Sequence, residues 1–224
     1  MAKRFPSGQI PNIIILGAIW GLAEAALGLG LQKCASLASG SIMTAVALFF
    51  IAATWVLTRH VIGLLIAVFL VSLMKLFDAF LLSLPLRHGA VANPIFAFWT
   101  EALTFLVIAL VIKDALSHKK TGQALLGGLA ALAAVNLFPL VKFATGIPAC
   151  VFPGTNYPLS LYYAPFAIGL SLITVPLGFW VGEKASAAQA KQEALGRMKV
   201  SRYIASPAAL ILCLLIIALI RLAG

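Results

Sequence analysis

The sequence predicts an all-α fold, an integral membrane bundle of about seven transmembrane helices, and three observations carry that prediction. Charged residues make up 10% of the 224 residues and apolar residues 62%, whereas an average soluble domain carries about 25% charged residues. Mean hydropathy is +1.08, so there are too few charges to build a water-facing surface. Apolar runs of about 20 residues recur along the whole chain, the length that crosses a ~30 Å hydrocarbon core at 1.5 Å per residue. The chain therefore reads as a single polytopic membrane domain, 1–224, with no room between the runs for a soluble one.

Seven segments reach that length: about 12–32, 40–58, 61–84, 94–112, 123–146, 161–182 and 204–222. The start, Met1-Ala-Lys-Arg4 before an apolar run, has the look of a secretory signal, and Ser36-Leu37-Ala38 offers small residues for cleavage. The run is too long for a signal core and contains Glu24, so it is expected to remain as the first helix. A lipid-modified Cys34 is disfavoured by Lys33, which stands where a small residue is needed. Pro139 and Pro176 mark expected kinks, and Pro207 lies in a first turn, where a missing N–H is harmless.

Loop charges predict the orientation. With the N-terminus in the cytoplasm, eleven loop Lys and Arg residues fall inside, among them Arg4, Arg59, Lys119 and Lys184, and three outside, Lys33, Arg87 and Arg221. The positive-inside rule then sets the C-terminus outside, in a plasma (inner) membrane of prokaryotic type. The net charge of +10 is spread singly along the ends of apolar runs, which is not the footprint of a nucleic-acid binder. The 183–202 stretch reads as a basic cytoplasmic loop before the last helix, and a surface helix is the alternative. The longest outer connection, 146–159, holds three prolines and two glycines, a restrained, turn-rich stretch suited to a lid. Cys34 and Cys150 map to the outer side, where a disulfide and two separate thiols are both compatible; Cys213 reads as a small apolar side chain.

Ionisable groups are expensive in hydrocarbon, so they face the bundle interior and either pair or act. Glu24, Lys75, Asp78, Glu101 and Lys142 are such residues, with Asn136 also inside a helix. Measured from the outer helix ends, all six fall within roughly 6–15 Å of the outer face. Segments running in opposite directions thus place their polar groups in one layer. Lys75 and Asp78, three apart, can pair, leaving Glu24, Glu101 and Lys142 as a second set. Trp99, Phe98, Tyr157, Tyr162 and Tyr163 surround the same level and can stack on a flat ligand, or sit there as interfacial aromatics. A self-satisfied network that only fixes helix packing is the competing reading of the charges.

Other chemistry lacks its residues. His60, His88 and His118 lie in loops or at helix ends, unlike the ligands of a haem held between helices. No Cys-x-x-Cys, His-Glu-x-x-His, Gly-x-Ser-x-Gly or Walker motif occurs, so neither an enzyme nor a metal or cofactor site is expected. Helix one carries Gly17, Gly21, Ala25 and Gly28, and helix five Gly127 and Ala131 with Ala130 and Ala134, small stripes that let backbones approach.

The stretches Leu16-Gly-Ala-Ile-Trp-Gly-Leu-Ala-Glu-Ala-Ala-Leu-Gly28 and Asn93-Pro-Ile-Phe-Ala-Phe-Trp-Thr-Glu101 resemble the substrate-binding (S) components of energy-coupling-factor transporters. The resemblance covers about the first half of the chain, and a seventh helix departs from the usual six. It implies a six-helix core plus a C-terminal helix, and capture of a vitamin-like solute beneath outer loops. It further implies docking through Gly17, Gly21 and Ala25 onto a transmembrane coupling protein with ATPase subunits. The expected function is uptake of a small organic nutrient, with Glu24, Lys75, Asp78, Glu101, Asn136, Lys142, Trp99 and Tyr157 as substrate-binding residues. The alternative is a membrane subunit of a redox or ion-translocating complex, using the buried charges as a relay.

Overall fold

A backbone in hydrocarbon must satisfy its own hydrogen bonds, so apolar runs of this length become helices whatever their side-chain propensities. The structure, a computed structural model, describes residues 7–30, 37–117, 119–194 and 199–223. After a 3₁₀ turn at Ser7–Gln9 come α1 (Ile10–Gly30), α2 (Leu37–Thr58), α3 (Val61–Leu81), α4 (Gly89–Ser117) and α5 (Lys120–Leu137). A 3₁₀ turn at Phe138–Leu140 leads into the short α6 (Val141–Thr145), and α7 (Leu159–Ala194) and α8 (Lys199–Ala223) complete the chain. Among the described residues, seven helices are long and apolar enough to cross a membrane, α5 and α6 forming one span. The chain is an integral, multi-pass membrane protein.

Local chemistry sets the boundaries. Between α2 and α3, Arg59 takes a left-handed φ of 47° and the His60 side chain accepts from the Ile62 N–H at 3.2 Å, capping α3. At the far end of α3, Ser83 has a φ of 52°. The Leu84 N–H then returns to the Ala79 carbonyl and that of Ser83 to Phe80, the paired bonds that close a helix with a left-handed residue. Pro139 does more than kink its helix: it sits in the 3₁₀ turn that separates α5 from α6, because its ring removes a donor and crowds the preceding turn. Pro165 and Pro176 lie inside α7 without ending it.

Several helices outrun the expected segments: α8 begins at Lys199, so Pro207 lies inside it and not in a first turn, and two further shifts bear on the site. Helix α4 begins at Gly89, running through Pro94, so Glu101 lies 12 residues, about 18 Å, from the helix start and not about 10 Å. Helix α7 continues to Ala194, so most of the stretch read as a connector at 183–202 is a rigid extension of a helix about 54 Å long. Its Gln189 accepts a hydrogen bond of 2.7 Å from the Asn12 side chain, which ties the extension to the start of α1. Residues 195–198 lie outside the described residues.

Helices α1, α2, α7, α5, α4 and α3 each pack on the next, with α3 returning to α1, and α2 touches all five others. Helix α8 lies outside this six-helix set, against α1 and α3. The core gathers Trp20, Leu48, Ile51, Leu64, Phe105 and Phe179, all at most 1% exposed. Lipid gives no hydrophobic drive for helix association, so close packing must supply it. The tightest crossings are made by glycines of α7 and α5: a β-carbon on Gly178 would meet the Phe49 carbonyl, on Gly182 the Ala53 carbonyl at 2.6 Å, and on Gly127 the Ser171 carbonyl.

The helix-one stripe is turned inward. Gly17 faces Leu70 and Gly21 faces Met74 of α3, while Ala25 is buried beside Cys213 and Ile217 of α8. These three residues are covered by the chain's own helices, so they offer no surface to a coupling protein.

Candidate functional site

One end of the bundle holds a cavity of about 540 Å³, within the range of ligand pockets. It lies between the C-terminal half of α1, the starts of α2, α4 and α7, and the end of α5. Glu24 and Glu101 line it, with Asn93, Phe98, Ser160 and Tyr163. It reaches the surface at His88 and Pro148, both exposed. This is the end where few basic residues lie in the loops.

The two carboxylates are held differently. Glu24, 2% exposed, accepts from the Trp20 indole N–H at 3.3 Å, one helical turn earlier. Trp20 is itself locked, stacked on Phe50 and edge-on to Phe98. Glu101, 4% exposed, is hydrogen-bonded by the Thr44 hydroxyl and lines the same cavity as Glu24. Its Oε2 has no hydrogen-bond partner among the described residues, and neither do Asn93 Oδ1 and Ser160 Oγ, all at the same cavity. Pro94 has no N–H to offer the Ala90 carbonyl, and both residues line the space. The site therefore presents a concentration of acceptors.

A covering segment runs from Gly146 to Pro158. Gly146 and Gly154 both have a φ of 78°, a left-handed conformation that glycine adopts without a side-chain clash. The Leu159 N–H bonds the Cys150 carbonyl at 2.7 Å and the Phe152 N–H the Tyr157 carbonyl at 3.0 Å, and Phe152 stacks on Tyr162. Ile147, Pro148 and Cys150 of this folded loop line the cavity. Cys150 is disulfide-bonded and Cys213 is free; Cys34 lies outside the described residues.

The other expected site residues are elsewhere. Lys75 donates to Asp78 at 3.1 Å, as their spacing predicts, but Asp78 also binds Arg221 of α8 through Nε and, at 2.9 Å, Nη2. Arg221 is thus a buried partner and not a loop charge, and this cluster joins α3 to α8 outside the cavity lining. Lys142 is exposed on α6 and does not join Glu24 and Glu101. Asn136 is exposed and folds back onto the Leu132 carbonyl. Trp99 is 40% exposed, because two residues along a helix turn the side chain about 200° away from Glu101. Tyr157 is 63% exposed, on the covering loop but turned away from the cavity.

Sequence reasoning missed Trp20, Thr44, Asn93 and Ser160. The Trp20–Glu24 spacing of four was a readable signal; Thr44 and Ser160 are common helix residues whose importance comes only from what they face. Substituting Trp20→Phe keeps an aromatic ring, though a smaller one, and removes the donor to Glu24. A loss of about 1–3 kcal/mol of stability is expected for the orphaned group, measured by unfolding of purified protein, with W20F/E24L recovering part of it. No loss in W20F would mean that the indole does not support the carboxylate.

The fold and site define a helical integral membrane protein with a carboxylate-lined cavity that opens at one end. No family model, curated protein or solved structure matches this chain.

Proposed function

We propose that this protein is a membrane-embedded binding component for uptake of a small organic nutrient, with the solute held between Glu24 and Glu101. The observation that carries the reading is a buried carboxylate oxygen, Glu101 Oε2, without a partner among the described residues, on the wall of a 540 Å³ cavity. A network meant only to pack helices leaves no such group, since an unmet buried polar atom is destabilising. The loop charges support a cytoplasmic N-terminus and a cavity facing outward in a plasma membrane of prokaryotic type. Resemblance to energy-coupling-factor S components supports a coupling protein with ATPases as the energy source. With Gly17, Gly21 and Ala25 covered, such a partner would engage another surface.

Native mass spectrometry of gently purified protein tests the reading. The expected result is one small molecule bound per chain, lost in the Glu24→Ala/Glu101→Ala variant. Retention in a folded double variant would sink the site.

A further inference from the structure

We infer that the cavity selects an organic cation, a compact molecule whose ammonium or protonated amine sits against Glu101 and Glu24; this rests on the cavity being a solute site. The expected second set of Glu24, Glu101 and Lys142 does not form there. Lys142 is exposed, and Lys75 is committed to Asp78. The described residues lining the cavity include two carboxylates and no Lys or Arg.

The unpartnered atoms share one polarity. Asn93 Oδ1 only accepts hydrogen bonds, Glu101 Oε2 does so in the ionised form that a bound cation favours, and the Ser160 hydroxyl, 1% exposed, can accept as well as donate. A ligand that donates several hydrogen bonds and carries positive charge satisfies all three. An anion would meet two carboxylates with no lysine or arginine among the described lining residues, His88 standing at the opening, which is unfavourable away from water. Phe98, Phe138 and Tyr163 supply ring faces or edges around the same space, and aromatic faces attract cations further. The volume points to an organic molecule rather than a bare metal ion. Among the described residues no three His, Cys, Asp or Glu side chains gather as metal ligands.

The test is calorimetric titration of the full chain in neutral-lipid nanodiscs, with empty nanodiscs subtracted, using 2-phenylethylamine, 2-phenylethanol and phenylacetate. The amine should bind saturably and at least about tenfold more tightly than the alcohol, the low end for a hydrogen bond to a charged group, and phenylacetate should not bind. Glu101→Gln should remove most of the amine's advantage, and Glu24→Gln serves as the second variant if E101Q does not fold. Alcohol or acid binding as tightly as the amine overturns the charge preference and leaves the solute site standing. Amine preference unchanged in both variants overturns the role of these carboxylates. If none of the three binds, the molecule retained in native mass spectrometry decides: a cation supports the inference, and a neutral or anionic one overturns it. With no probe bound and nothing retained, the solute site and the inference fall together.

Discussion

Replacing Asp78 with asparagine is expected to destabilise the protein by about 3–5 kcal/mol, the typical result of removing one partner from a buried ion pair. Asp78 is 2% exposed and anchors two cations, Lys75 at 3.1 Å and Arg221 at 2.9 Å. Arg221 also donates to the Ala25 carbonyl at 3.3 Å, so the guanidinium that Asp78 holds joins α8 to both α3 and α1. In D78N the guanidinium and ammonium stay buried with their counter-charge gone. Helix α8 has few other ties, since it packs chiefly on α1 and α3. It should therefore loosen before the six-helix set does. Unfolding measurements on purified protein, with protease accessibility of α8, check this. The Asp78→Leu/Arg221→Leu variant should be less damaging than D78N, because it removes opposite charges together. A D78N protein as stable as wild type would show that the cluster does not hold α8.

The second large effect is expected at Gly178. Substitution by leucine directs a β-carbon at the Phe49 backbone carbonyl, and a backbone atom in a packed helix cannot step aside as a side chain can. Overpacking costs about 1–3 kcal/mol where side chains can adjust, so G178L should reach or exceed the top of that range and part α2 from α7. Gly182→Leu should act alike, with the Ala53 carbonyl at 2.6 Å. Gly169, on the same helix, has nothing within 4 Å of its β-carbon position, so Gly169→Leu should be tolerated. Comparing G178L with G169L by yield of folded protein and unfolding midpoint separates close packing from a general intolerance of α7. Equal behaviour would refute the crossing as a constraint.

The spans were legible because lipid imposes a length and a composition that any reader of the chain can count. Glu24 and Glu101 were legible as candidates for the same reason: a carboxylate inside an apolar run must be explained. What the sequence could not tell is which polar groups share a space. Lys142 and Glu101 have similar expected depths, yet one points outward and the other into the cavity, because rotation about the helix axis does not follow from depth. Trp99 failed for the related reason that neighbours in sequence face different ways on a helix. Arg221 was read as a loop charge because its partner, Asp78, lies 143 residues away. The Gly178-x-x-x-Gly182 spacing was readable as a close-packing motif, although only the crossing with α2 makes it the tight one.

The sequence by itself determined the solvent of this protein, its seven crossings and two acidic residues that hydrocarbon would not tolerate without a role. The tertiary structure alone decided that these two carboxylates face one cavity while Lys75 and Arg221 pair elsewhere and Lys142 is exposed. The physical reason is that crossing a bilayer is a property of each helix taken singly. The polarity of a site is set by how several helices are rotated against one another, and here that rotation brings acceptors together without their counter-charges.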